Sequence, residues 1–461
     1  MKKITLGTGS AGWPDFADRA AVTAERVDVD FFANDHLAEL TMAILEGMKK
    51  KDPTKGYIPE IVDYAKALLP IWKRKEKKFK IISNGGGANP EAGGKVMYNI
   101  AKELGITGLK IGVVTGDDLP LERIDELRAN GLKLTALDTG QEDITKEVRD
   151  NLIAAYVYIG ADRIIEALQQ GADVVIGGRF SDNTLFVAPA MYAFGWEYEE
   201  PYWDRIGSMV CCAHLLECGG WSTGWCSNLW DRVPEIWNIG YPIIDMDETG
   251  DAYIYKAPGT GGVVRTWTIK EHLVYEVHDP NNYLMPDGIG DFTALKLEQV
   301  GANKVHIAKI GDKPRGKPRP KDLKLCLAYR DGFISDYIMS VPGPKALQRA
   351  EKVKECFLKR LEMMNIKPAE VLLSVIGVDL NAGPAARKPD YDPNEVAVRF
   401  AIRTKTEGEG RAAMRQAFFS WSAAGVGPGF GVPSTRPLNA LWPTLIPRSE
   451  VPLKLTMMEV K

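Results

Sequence analysis

Over residues 1 to about 195, apolar runs of four to six residues alternate with amphipathic stretches of 10 to 20. That order predicts βα units and a mostly parallel sheet with flanking helices. Four of the runs stop in glycine plus a small polar or charged residue: KITL before GTGSAG (3–12), FKII before SNGGGANP (79–90), LKIGVV before TGDD (109–118) and ADVVI before GGRFSDN (172–183). Buried parallel strands end this way where the following loop turns tightly, and open α/β sheets collect ligands at that edge. The four loops therefore predict the floor of a ligand site. Local signals agree: a helix from Ile164 to Gln170 meets Gly171, a natural left-handed cap, and Asn89-Pro90 suits a helix start that runs on to Leu104.

From about 196 to 320 the texture changes to Trp, Tyr, Gly and short alternating stretches such as DAYIYKA and GGVVRTWTI, which predicts a β-rich segment containing one HLLECGG helix. KPRGKPRP (313–320) reads as a linker, because closely spaced prolines lack donors and favour extended chain. Beyond it, strand-like runs and helices over about 344–364 and 408–423 predict a small α+β domain. The expected fold class is α/β, with an α/β ligand-binding domain at 1–195, a β-rich segment at 196–320 and an α+β domain at 321–461.

Composition narrows the function. The chain has 461 residues, 45% hydrophobic and 26% charged, with no apolar run near the roughly 20 residues that span a bilayer. MKKITLGTGS turns polar after two apolar residues, so no secretory leader is expected, and the reading is cytoplasmic. A net charge of −3 argues against a nucleic-acid or membrane surface, which needs a clustered basic excess. The basic runs KRKEKK (73–78) and KPRGKPRPK (313–321) read as solvated helix or loop. Six cysteines, at 211, 212, 218, 226, 326 and 356, form no CxxC pair and read as reduced thiols.

Candidate chemistry lies at the loops. Gly7, Gly9 and Gly12 spell GxGxxG, yet Trp13 and Pro14 interrupt the helix start, so a tight turn without a dinucleotide is expected. In SNGGGANP, Asn84, Gly85, Gly86, Gly87 and Asn89 offer backbone N–H groups and neutral amides to an anion such as a carboxylate or a CoA phosphate. Asp117 stands in the TGDD loop. In GGRFSDN, Arg179 suits a two-pronged carboxylate clamp, while Asp182 suits a general base or, like Ser181, a helix cap. His214, Glu217 and Cys218 fall at i, i+3 and i+4, one face of a helix, with Ser222 and Thr223 just beyond as further substrate contacts. No HExxH or EF-hand spacing occurs, and neither a metal nor a cofactor is expected. The glycine loops at 257–262 and 425–431 suit closure over a ligand or simple structural turns.

The ordered words GADRIIEAL, GADVVIGGRFSDN, PAMYAFGW and HLLECGGWSTG, followed by GTGGVVRTWTIKEHLVYEVHDPNNYLMPD and KVHIAKIGDKPRG, resemble the AtuA family of acyclic terpene utilisation proteins over nearly the whole chain. The first loop, GTGSAGWPD, is less regular than the family's turn, and His272 stands where glutamine is more usual. The resemblance implies a cytoplasmic catabolic protein encoded among enzymes of acyl-CoA metabolism, sometimes beside a small partner protein. It assigns no catalytic residue.

These observations lead to an enzyme acting on a small or branched carboxylic acid or its CoA thioester, a cofactor-independent hydratase, dehydratase or related lyase. In that reading Arg179 holds the carboxylate, Asp182 or His214 moves the proton and Glu217 orients the imidazole. A noncatalytic subunit that binds acyl-CoA or a small partner protein is the second reading. A hydrolase or acyltransferase using Cys218 or Ser222 is the third. A homo-oligomer is expected, with neither nucleic acid nor membrane as partner.

Overall fold

The computed structural model describes residues 1–387, 389–426 and 431–461. The N-terminal part runs β1 (Lys3–Ala11), α1 (Ala17–Arg26), β2 (Phe31–Asp35), α2 (Glu39–Lys51), α3 (Ile61–Arg74), β3 (Lys80–Ser83), α4 (Pro90–Glu103) and β4 (Lys110–Thr115). It continues through α5 (Leu121–Ala129), α6 (Lys146–Asp150), β5 (Leu152–Val157), α7 (Asp162–Gln169), β6 (Val174–Ile176), α8 (Thr184–Phe194) and α9 (Trp203–Glu217). The middle supplies β7 (Pro242–Asp247), β8 (Ala252–Lys256), α10 (Thr266–Leu273), β9 (Tyr283–Met285), β10 (Gly288–Gly290), β11 (Leu295–Gly301), β12 (Lys304–Lys309) and β13 (Gly316–Lys317). Last come β14 (Asp322–Pro342), α11 (Ala346–Met363), β15 (Glu370–Ile376), β16 (Glu395–Thr404), α12 (Glu407–Phe419), β17 (Ser434–Pro447) and β18 (Lys454–Glu459).

The chain divides into two compact units, residues 1–144, 153–328 and 441–461 in the first and 145–152 and 329–440 in the second. The first unit carries a ten-stranded sheet in the order β11-β12-β8-β7-β1-β2-β3-β6-β4-β18. Its centre, β1-β2-β3-β6-β4, is parallel as the βα alternation requires. The β-rich segment extends this same sheet antiparallel from β1, and β18 closes the other end against β4. Ile81, Ile111, Val113, Val174 and Ile176 share a buried cluster with apolar residues of α1, α3 and α4. Gly112 points to the opposite face, where a Cβ would come within 2.9 Å of Ala167 on α7.

In the second unit the strand order is β15-β16-β14-β17. Val398, Phe400 and Ile402 of β16 share one buried cluster with Val353 and Phe357 of α11 and Met414 and Ala417 of α12, the α+β layer foreseen for this region.

Local end signals hold. Asn89 caps α4, its side chain accepting the Ala92 N–H (3.3 Å), Pro90 opens that helix, and Gly171 follows α7 at φ +87°. Two expectations change. The first strand does not stop at Leu6 but continues through Gly7 and Gly9 to Ala11, because both glycines make room for β2 side chains, Phe32 at 3.0 Å from a Cβ on Gly7. The run 313–320 is no linker either. Arg315 is buried, pairing with Asp204 (2.8 Å) and Asp251 (2.9 Å), and Gly316 lies so close to Gly207 of α9 that a Cβ on either would overlap the other's backbone. Of the glycine loop 425–431, residues 427–430 lie outside the described residues.

Helix α9 is buried at every position from Ile206 to Glu217. Such a helix has no solvent face, so its polar residues must find partners inside the protein. Among the described residues no helix is long and apolar enough to cross a membrane.

Candidate active site

Arg179 stands in the loop after β6 with its side chain wholly buried. Its backbone N–H donates to Asp117 Oδ2 (2.6 Å), and a Cβ at Gly178 would overlap that same carboxyl, so the glycine is what lets the loop lie there. One terminal guanidinium nitrogen donates to Asp182 Oδ1 (2.6 Å) and the Phe180 carbonyl (3.0 Å), and the other reaches Asp182 Oδ2 (3.5 Å). The Tyr158 ring covers the guanidinium, its centroid 4.0 Å from the central carbon. Nε alone has no partner. The Asp182 side chain keeps 32% of its surface exposed, so the pair sits at the boundary between the interior and solvent. It caps nothing: neither Ser181 nor Asp182 closes α8 through its side chain.

Two more carboxyls feel this ion pair. Asp35, the last residue of β2, is buried, and its Oδ1 accepts from Asn84 Nδ2 (2.6 Å) and Leu37 N–H (3.3 Å). Burial first, then the Asp182 charge, pushes its carboxyl well above the usual range, against the pull of Arg179. Glu217, at the end of α9, is raised in the same way by burial and then by Asp182 and Glu276. In both, the desolvated site favours the protonated form. Glu39 differs: burial opposes its ionisation, but Arg179 and Lys324 outweigh it and hold the carboxyl below the usual range. Lys324 lies 3.4 Å from Glu39, and Tyr158 Oη donates to the same carboxylate (2.9 Å).

The helix-face pair exists as the spacing predicts. His214 Nε2 donates to the His272 carbonyl (3.0 Å), so the neutral ring presents a lone pair at Nδ1, 3.0 Å from Glu217 Oε1. Burial pushes the imidazole down to about 4. A neutral acid donating to a neutral ring satisfies both groups, and it leaves Glu217 Oε2 buried with no partner. Tyr283 Oη lies 3.3 Å from the same nitrogen.

The other candidates take structural places. Residues 83–88 are all buried, and their loop bonds to itself: Gly87 N–H to the Asn84 carbonyl (3.1 Å), Asn89 N–H to the Gly86 carbonyl (2.9 Å), Gly85 N–H to Ser83 Oγ (3.0 Å). Asn84 faces the site, gripping Asp35 while its Oδ1 accepts the His36 N–H (2.8 Å); Asn89 serves α4 and the Pro53 and Lys55 carbonyls. Ser222 Oγ donates to the Leu215 carbonyl (2.7 Å) and accepts from His272 Nδ1 (2.7 Å), and Thr223 donates to the Gly220 and Gly240 carbonyls. Cys218 is raised by burial and then by Glu217 and Asp35, which keeps its thiol protonated and a poor nucleophile. No cysteine is in a disulfide. Among the described residues no group of His, Cys, Asp and Glu is arranged to hold a metal ion.

GGRFSDN, HLLECGG and the NYLMPD stretch holding Tyr283 carry this geometry. The family described as acyclic terpene utilisation family protein AtuA matches residues 4–457. The chain belongs to it. A comparison with curated proteins gives no match. AtuA membership supports a role in acyclic terpene utilisation, and the matched span contains every residue of the cluster.

Asp35, Glu39, Tyr158 and Tyr283 join this AtuA site without having been singled out for it. Asp35 had one visible signal, the polar NDH triplet (34–36) directly after the apolar FFA of β2.

Asp117 makes the cost of burial measurable. Burial pushes its carboxyl up to about 6 from an ordinary 3.8. A carboxyl raised in the native state stabilises fully below its unfolded value, and that contribution is lost as pH rises through the folded one. Urea midpoints of the wild type should therefore fall between about pH 4 and pH 7, with Asp35 and Glu217 acting in the same direction. Asp117→Asn, which still accepts the Arg179 N–H, should show a shallower fall; equal slopes in both proteins would refute this assignment.

Proposed function

We propose that this protein is a lyase of acyclic terpene catabolism that removes water from, or adds it to, a small branched substrate at the Arg179–Asp182–Asp35–Glu217 cluster. One observation carries the reading. The same few side chains include a carboxyl ion-paired to a buried arginine at 2.6 Å and two buried carboxyls that desolvation pushes well above the usual range. Environments that separate the protonation of neighbouring carboxyls supply a base and an acid at one pH, the two groups that elimination of water requires.

In the dehydration direction the Asp182 carboxylate takes a proton from the carbon next to the hydroxyl-bearing carbon. The released C–H electron pair becomes the second bond of the alkene. The C–O bond breaks, and the oxygen leaves as water with the proton of Asp35. Asp182 is then protonated and Asp35 ionised; passage of that one proton from Asp182 to Asp35, relayed by the water just formed, restores both. Arg179 holds Asp182 and stabilises negative charge developing on the departing oxygen. His214, neutral, orients Glu217. Nucleophilic catalysis is not supported, because the Cys218 thiol is protonated and Ser222 is engaged with the Leu215 carbonyl and His272.

The test is turnover by the purified chain. Branched acyclic hydroxy acids, their CoA thioesters and the corresponding alcohols are incubated in deuterated water and the recovered material analysed. Formation of alkene, or deuterium at the carbon beside the hydroxyl, is the expected result. A chain that gives neither product nor exchange with any of the three substrate types is a binding subunit, not a lyase.

A further inference from the structure

The arginine of this site was expected to clamp a carboxylate, and its surroundings argue otherwise. Both terminal nitrogens of Arg179 are already engaged by Asp182 and the Phe180 carbonyl, and Tyr158 covers the guanidinium. The nearby Lys324 is matched by Glu39. Asp182, Asp35, Glu39 and Glu217 all act electrostatically on this one guanidinium, so a further anion here would meet carboxyl groups with no unmatched cation to receive it.

What the cluster leaves unsatisfied is one donor and one acceptor. The donor is Arg179 Nε–H; the acceptor is Glu217 Oε2, whose partner oxygen is joined to His214 Nδ1. Both belong to side chains that are at least nine-tenths buried, where an unpaired polar atom is costly and uncommon. A carboxylate offers acceptors only, and so does a carbonyl. A hydroxyl offers one donor and two acceptors.

We propose that the group lodged between Arg179 and Glu217 is an uncharged hydroxyl of the substrate, accepting from Arg179 Nε–H and donating to Glu217 Oε2. The substrate class is thus an acyclic alcohol or hydroxyacyl compound whose hydroxyl, not its carboxylate, sits at this arginine. Its second lone pair remains free for the proton of Asp35, whose Oδ1 is occupied by Asn84 and Leu37. The inference rests on the lyase reading for what happens to that hydroxyl, but not for its binding.

The experiment separates the two. A saturated acyclic terpene alcohol and the carboxylic acid of identical skeleton, neither able to undergo elimination to a conjugated product, are titrated into the full chain near pH 7 by calorimetry. The alcohol should bind, and the acid should bind roughly tenfold more weakly or worse. Glu217→Gln reproduces the protonated acid, its amide N–H₂ facing His214 and its carbonyl replacing Oε2, and should keep alcohol affinity; Glu217→Leu, shown to be folded by circular dichroism, should lose it. Equal or tighter binding of the acid, loss of alcohol affinity in Glu217→Gln, or no binding of either probe overturns the proposal. Alcohol binding without turnover of any hydroxy substrate would sink the lyase reading and leave this one standing.

Discussion

Asp182→Asn is expected to lower the elimination rate by about 10² to 10⁴ fold, the range spanned by loss of a positioned general base. Asparagine keeps the shape and can still accept from Arg179, so the substrate hydroxyl should be held much as before. The loss should then appear in kcat with little change in KM, the pattern of an interaction made in the transition state. Asp182→Glu displaces the carboxylate by one methylene and should recover part of the rate. A kcat for Asp182→Asn equal to that of the wild type would remove Asp182 as the base. A matching fall in Asp182→Glu with no recovery would point to the ion pair's structural role instead.

Arg179→Met carries the larger effect on stability. The guanidinium is fully buried, and its removal strands Asp182 and leaves the Phe180 carbonyl without a donor. Breaking a buried pair from one side destabilises by about 3–5 kcal/mol, and the partial exposure of Asp182 places this case near the lower end. Replacing both partners, as in Arg179→Met with Asp182→Leu, should recover much of the loss, because no unpaired charge remains buried. Urea unfolding followed by tryptophan fluorescence reads the right part of the molecule: of 11 tryptophans only Trp421 lies in the second unit. A single-substitution loss below about 1 kcal/mol would mean that the arginine is solvated and the pair only superficial.

The two predictions depend on different properties of one short word. GGRFSDN announced an arginine and a carboxylate three residues apart after a strand, and the structure makes them an ion pair at 2.6 Å. Likewise HLLECGG announced His214 and Glu217 on one helix face, and they meet at 3.0 Å. Such pairs are legible because spacings of three or four residues are set by backbone geometry within one element. The role imagined for Arg179 was not legible. A guanidinium reads as a clamp for an external anion until its internal partner is seen, and the neighbours that make this site already rich in carboxyls, Asp35 and Glu39, are more than 130 residues away in the chain. The packing of SNGGGANP was not legible either: its residues 83–88 are buried, the N–H groups of Gly85, Gly87 and Asn89 bond within the loop, and its Asn84 grips Asp35.

Short-range rules therefore account for the parallel core, the strand ends that meet along one edge, the Asn89 cap and the two carboxylate-bearing motifs, since each depends on neighbours a few residues away. Family membership was legible for the same reason, as ordered words in a linear string. Protonation was not. Whether a carboxyl is a base, an acid or a strut depends on how much water it keeps and which charges converge on it, and here β2, β6, α9 and the start of β14 must all be in place first. Desolvation is a property of the folded interior, so it is tertiary packing that paired Asp182 with a buried arginine and pushed the Asp35 and Glu217 carboxyls well above their ordinary range.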